Sequence, residues 1–166
     1  MLPVVNSMKK KVLFVCAGNI CRSPAAEAVF TKMVNENGYS GVFEIDSAGT
    51  GGWHSGEQAD PRMRRHARKR DINITSIARK FDASTDFDRF DLIVAMDDEN
   101  LDVLKDKARN SADKAKIVKM TAFRNKFNYT TIPDPYYGGD EGFELVLDLL
   151  EDSCSVMLQK LIKEIR

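Results

Sequence analysis

Residues 12–16, Val-Leu-Phe-Val-Cys, are an unbroken apolar run that ends on a cysteine, and after a short polar loop Ser23 and Pro24 open a segment patterned for a helix. A strand with no polar face has no side to turn to water, so it belongs inside a parallel sheet covered by helices on both faces. That single requirement sets aside all-helical bundles and half-exposed antiparallel sheets.

The rest of the chain answers it by alternating strand and helix patterns. Ser23 is placed as an N-cap with Pro24 at the first helical position; Ala26, Val29, Phe30, Met33 and Val34 follow at helical spacing, and Gly38 ends the segment. "VFEIDSAGT" reads as a second strand, and Asp60 and Pro61 then start a strongly basic helix. "FDLIVAM" is a third strand, "DDENLDVLKDKA" a helix with acids in its first turn, and "KIVKM" a weaker fourth strand. Phe143, Val146, Leu147, Leu150, Cys154, Met157, Leu158, Leu161, Ile162 and Ile165 fall on one face of a long final helix. The expected fold is α/β: a three-layer α/β/α arrangement around a central, mostly four-stranded parallel sheet, with a phosphate-binding loop after the first strand. Ligands of such sheets sit beyond the carboxyl ends of the strands, which is where Cys16 stands. The long glycine-bearing loops "GTGGWHSGEQADP" and "NYTTIPDPYYGGDEG" are candidates to border the same site.

At 166 residues the chain suits one domain. The pattern begins only at the lysines after Met8, so residues 1–9 are expected to be a poorly ordered extension and residues 10–166 a single domain. Lysines and arginines number 25 against 25 acids, which argues against a protein built mainly for nucleic acid or an anionic membrane. No stretch approaches the ~20 apolar residues of a membrane span, and the start lacks a secretory pattern. Three cysteines, an odd number, fit a reducing compartment, so the expected location is the cytoplasm. The pattern leaves the oligomeric state open, with a monomer as the default.

The loop after the first strand carries the chemistry. Ala17, Gly18, Asn19, Ile20, Cys21 and Arg22 curl from strand to helix, and such a curl gathers backbone N–H groups and the helix N-terminus around one anion. Gly18 and Asn19 are types that tolerate left-handed backbone. Arg22 offers a planar fork for two phosphate oxygens. The same positive field favours Cys16 as a thiolate, with Ser23 placed either to support the sulfur or to cap the helix. Thiolate, cradle and arginine together describe nucleophilic attack on phosphorus. Neither GxxxxGK[ST] nor a GxGxxG after a strand is present to support a nucleotide loop.

A phenoxide leaving group needs a proton, and Asp134, fixed between Pro133 and Pro135, is the candidate general acid. Tyr136 and Tyr137 beside it suit a wall for an aromatic substrate. Trp53 is either the opposite wall or part of the core. Asp97, just past the third strand, either orders the site or caps the next helix.

"VCAGNICRSPAAEAVF" together with "PDPYYGG" resembles the low-molecular-weight protein tyrosine phosphatases, and the likeness runs through nearly the whole chain from Lys10. The resemblance implies a phosphomonoester hydrolase acting on protein phosphotyrosine through a phosphocysteine intermediate. Cys16 would take the phosphoryl group, Arg22 would bind it, and Asp134 would protonate the tyrosyl oxygen and later activate water. Ala17 to Arg22 would hold the phosphate oxygens and Ser23 would assist the thiolate, while Trp53, Tyr136 and Tyr137 would line the cleft. No metal or other cofactor is implied; the partners are a phosphotyrosine protein or peptide as substrate and inorganic phosphate as product. "TGGWHSG" resembles the bacterial branch, and His54 within it is either a substrate contact or, on the simpler reading, a surface histidine. Ser76 stands where the animal branch carries a histidine.

Three rival readings share the loop. Arsenate reductases need further cysteines, and only Cys154, within the final apolar stripe, remains. Protein arginine phosphatases resemble this chain with a threonine where Ile20 stands. A phosphate-binding module without turnover would have no need of Asp134. Cys21, five positions from Cys16, is a redox candidate: a reversible disulfide between them would shield the nucleophile, against the simpler reading of a small loop residue.

Overall fold

The computed structural model describes residues 9–165; the expected extension, up to Met8, lies outside the described residues. Strand β1 (Lys10–Cys16) lies between β2 (Phe43–Gly49) and β3 (Leu92–Ala95), and β4 (Ile117–Lys119) completes a sheet of order β2-β1-β3-β4. All three pairings are parallel, as the unbroken apolar strand requires.

Helices cover both faces. They are α1 (Arg22–Glu36), α2 (Pro61–Arg68), α3 (Ala83–Arg89), α4 (Asp98–Lys107), α5 (Ser111–Ala115) and α6 (Asp140–Ile165), with a short 3-10 turn at Met120–Phe123. Side chains alternate along a strand, so Val12 and Phe14 of β1 enter one core and Leu13 and Val15 another. The first core adds Val29 and Phe30 of α1 and Phe143, Leu147 and Met157 of α6. The second adds Phe81, Phe87, Phe90, Ile93 and Leu104. Two cores separated by one sheet make the three expected layers. Among the described residues no helix is long and apolar enough to cross a membrane.

The structure departs from expectation at several points. Helix α1 starts at Arg22 with Cys21 in the N-cap position and no side-chain cap, so Ser23 does not cap it. The Ser23 hydroxyl instead faces Cys16 Sγ at 3.0 Å. Helices α3 and α5 were not foreseen, because their polar segments carry little apolar periodicity. Each starts on an Asx cap, Asp82 or Asn110, and each buries an acid held by an arginine, Asp86 by Arg79 and Asp113 by Arg109. Ile165, placed in the apolar stripe of α6, is exposed at the helix end.

Candidate active site

Every backbone oxygen along the loop that finds a partner turns away from one concavity. The Cys16 carbonyl accepts from Thr50 N–H at 2.8 Å, Ala17 from Gly51 at 3.0 Å and Ile20 from Asp60 at 2.8 Å. A trans peptide points its C=O and the next N–H in opposite directions, so the N–H groups of Ala17, Gly18 and Cys21 turn inward. These residues line a cleft of about 290 Å³ with Cys16 and Arg22 at its base. Together with the start of α1 they form an anion cradle.

Asn19 holds the curl in shape. It takes the left-handed conformation at φ 58°; its Nδ2 donates to Ser23 Oγ at 2.8 Å and to Ser47 Oγ at 3.0 Å, and its Oδ1 accepts from Arg79 N–H at 3.0 Å. Gly18 does not share the positive φ; it is needed for space, since a Cβ there would stand 2.9 Å from His54 Cδ2. Gly49 at the end of β2 is likewise a close approach, with a Cβ only 2.8 Å from the Ala17 carbonyl.

Cys16 Sγ accepts from the Ser23 N–H at 3.4 Å, and the Ser23 hydroxyl stands 3.0 Å from it. Asn19 has N–H groups to give, so Ser23 and Ser47 accept from it; Ser47 passes its own hydrogen to Glu27 Oε1 at 2.6 Å, and the Ser23 hydroxyl hydrogen has two acceptors within reach, Cys16 Sγ at 3.0 Å and the Ala48 carbonyl at 3.4 Å. Burial pushes the Glu27 carboxyl up to about 7, with Asp46 adding to the rise and bonds from Ser47 and Ser76 opposing it.

Arg22 is 3 % exposed and fixed from below. Its Nη1 donates to Asp97 Oδ2 at 2.6 Å and to the Ile132 carbonyl at 3.0 Å, and its Nη2 stands 3.8 Å from Asp134 Oδ2. Burial works against the guanidinium charge, but the Cys16 sulfur and Asp97 outweigh it and hold the pKa above the ordinary arginine value. Asp97 fills both anticipated parts, because its other oxygen caps α4 by accepting from Asn100 N–H at 2.7 Å.

The walls are aromatic and open. Trp53 is 71 % exposed and lines the cleft, so it is not core. Tyr136 and Tyr137 meet edge to face with centroids 5.0 Å apart on the other side, and Tyr137 is 93 % exposed. Asp134, with its side chain 48 % exposed, accepts from Tyr136 N–H at 3.1 Å and points over the base. His54 is part-exposed and also lines the cleft, with its ring against Gly18 and Nδ1 3.2 Å from Glu57 Oε1.

The structure thus brings Cys16, Ala17, Gly18, Ile20, Cys21, Arg22, Trp53, Asp134, Tyr136 and Tyr137 to one cleft, with Asn19 and Ser23 directly behind it. Cys21 is a free, buried thiol, and burial followed by Asp60 pushes its pKa far above the ordinary thiol value. Sequence reasoning missed Ser47, Arg79 and Glu27. The available signal for Glu27 was its place four residues after Ser23 on α1, hence on the same helix face. Among the described residues no group of three or more His, Cys, Asp or Glu is arranged to hold a metal ion.

Comparison with known proteins agrees with this geometry. Residues 11–166 match the family model described as low molecular weight phosphotyrosine protein phosphatase. A putative low molecular weight protein-tyrosine-phosphatase of Synechocystis is 43 % identical over 157 residues, covering 93 % of this chain and 98 % of that protein. The crystal structure of a protein tyrosine phosphatase from Entamoeba histolytica, with Hepes in its active site, superposes with a TM-score of 0.91 at 45 % identity, covering 95 % of this chain and all of the other (100 %). A Drosophila arginine phosphatase superposes with a TM-score of 0.84 at 32 % identity, over 93 % of this chain and 98 % of that one. With the family model spanning both the cysteine loop and the distant aspartate loop, the chain belongs to the low molecular weight phosphotyrosine protein phosphatases.

Proposed function

We propose that the protein hydrolyses phosphotyrosine in proteins by way of a phosphocysteine, with residues 10–166 acting as one phosphatase domain. The observation that carries this reading is the convergence of Cys16, Arg22 and Asp134 on one cleft, with Arg22 Nη2 3.8 Å from the Asp134 carboxylate.

In the first step Cys16 Sγ attacks phosphorus as the tyrosyl O–P bond breaks, and Asp134 gives its proton to the departing phenolic oxygen. Arg22 and the inward N–H groups hold the three equatorial oxygens as charge spreads over them. In the second step Asp134, now a carboxylate, takes a proton from water; the water oxygen attacks phosphorus and the S–P bond breaks. The products are tyrosine, inorganic phosphate and the restored thiolate.

Tyrosine is favoured by depth. Cys16 is buried at the base between Trp53 and the Tyr136–Tyr137 pair, so a substrate must carry its phosphate on a long, flat stem. Ile20 on the cleft wall supports phosphotyrosine over phosphoarginine. Trp53 and His54 support a place in the bacterial branch, and the free cysteines support residence in the cytoplasm.

Turnover of matched phosphotyrosine, phosphoserine and phosphoarginine peptides, with chelator present, tests the reading. Phosphotyrosine should be strongly preferred, and Cys16→Ser should abolish turnover while retaining phosphate affinity. A preference for phosphoarginine, or normal turnover by Cys16→Ser, would overturn it. For Cys21 we propose a protective role under peroxide: peroxide oxidises Cys16 to a sulfenic acid, and the Cys21 thiol condenses with it, releasing water and leaving a disulfide. Mass analysis of the peroxide-treated protein should find that disulfide, and over-oxidised Cys16 beside free Cys21 would count against it.

A further inference from the structure

The charge balance of the whole chain hides a strongly one-sided segment. Residues 61–70 carry Arg62, Arg64, Arg65, Arg68, Lys69 and Arg70 with no acid among them, in a chain of zero formal charge. Met63, His66 and Ala67 are the buried residues of α2, which leaves its cations on the outer side. Arg62 is occupied by Asp60 at 2.8 Å, and Arg70 by Glu144, Asp148 and Glu151. Arg65 reaches only Asp140, at 3.8 Å and with both side chains exposed. Arg64 gives its Nε to the Ala59 carbonyl at 3.0 Å; among the described residues Arg64, Arg68 and Lys69 form no ion pair.

The position of this surface makes it more than a solvated helix. Asp60 N–H donates to the Ile20 carbonyl, which pins the start of α2 to the phosphate loop. The Arg62 guanidinium lies over the Tyr136 ring, 5.2 Å from its centroid, so the cations begin at the cleft wall itself. At about 1.5 Å of rise per residue, Arg68 lies about 9 Å along the axis beyond Arg62, roughly the span of three residues of extended peptide.

We propose that the outer face of α2 receives acidic residues of the substrate chain, so that the enzyme selects phosphotyrosine flanked on one side, two to four positions away, by Asp or Glu. This rests on the phosphatase reading above. Arg65 and Arg68 act as specificity residues: they raise the encounter rate and local concentration of acidic substrates without touching the reacting atoms. A small aryl phosphate, having no flanks, gains nothing from them.

The test compares wild type with the double variant Arg65→Gln/Arg68→Gln. Substrates are a small aryl phosphate and phosphotyrosine peptides carrying Glu or Gln two to four residues to either side, at low and high salt. Wild type should use the best glutamate peptide about five- to tenfold better in kcat/KM than its glutamine match, the sum of a few exposed ion pairs. The advantage should shrink in high salt and vanish in the double variant, while aryl phosphate turnover stays within about twofold. Equal use of both peptides by wild type, or an undiminished advantage in the variant, overturns the proposal. So does stronger inhibition by RNA or phosphatidylserine vesicles than by an unphosphorylated acidic peptide, if the double variant loses it, since the face would then serve another polyanion. Wild type that leaves the aryl phosphate untouched sinks the phosphatase reading and this proposal with it, a result distinct from the others.

Discussion

The base and the rim of the cleft face the same substrate but are built by opposite means. At the base Asn19, Arg22 and Ser23 are almost wholly buried, and each has a defined partner from another part of the fold: Ser47 and Arg79 for Asn19, Asp97 and Ile132 for Arg22, Ala48 for Ser23. At the rim Trp53, Tyr137 and Asp134 are largely open to water, and Asp134 has one backbone hydrogen bond of its own. Charge changes hands at the base, where fixed donors are worth most because they need no rearrangement as the reaction proceeds. The rim chooses what enters, and choice tolerates movement.

Asp134 is where this division is under most strain, being a rim residue with a part in the chemistry. Asp134→Asn should lower kcat on phenolic substrates about a hundredfold or more. Substrates whose leaving group needs no proton should lose far less, and equal loss on both would move the acid's role to another residue. The next largest effect lies beneath the base. Glu27 has a folded-state pKa of about 7 against an ordinary 4.5, so the folded protein keeps a proton that the unfolded chain gives up. Stability should therefore fall as pH rises through that window, by up to about 3 kcal/mol. Glu27→Gln should flatten this loss in urea-unfolding midpoints between pH 5 and 8; a wild-type and variant that decline in parallel would place the titrating group elsewhere. The smallest effects belong to the outer rim. Trp53→Ala and Tyr137→Ala should raise KM for phosphotyrosine peptides about three- to tenfold, with kcat and melting temperature nearly unchanged. A clear drop in melting temperature would erase the contrast between rim and base.

The same contrast explains what could be read from the sequence. Cys16, Arg22 and the intervening loop are contiguous, so their spacing carries the site directly, and the two prolines mark Asp134 locally. Ser47 joins Asn19 only because β1 and β2 pair with Cys16 opposite Gly49, and no local pattern announces that register. Arg79 enters through an irregular segment whose backbone bonds to the end of β2. Helices α3 and α5 were hidden for a related reason: their buried acids are stabilised by Arg79 and Arg109 rather than by apolar spacing. Gly18 was legible as a special position but for the wrong cause, since its neighbour His54 comes from a distant loop.

Helix α1 has no side-chain cap at its first turn, because the serine that would supply one is turned toward the sulfur. Within the chain the Ser23 N–H of that turn reaches Cys16 Sγ at 3.4 Å and the Ala25 N–H the Cys21 carbonyl at 3.2 Å, and an anion in the cradle adds its charge to the same helix end. Phosphate, and any tetrahedral oxyanion of similar size, would then bind the folded loop and not the unfolded chain. Folding and product inhibition are then two readings of one equilibrium: the melting temperature should climb with the logarithm of phosphate concentration once the site fills. A cell that accumulates phosphate would slow this enzyme and lengthen its life at once.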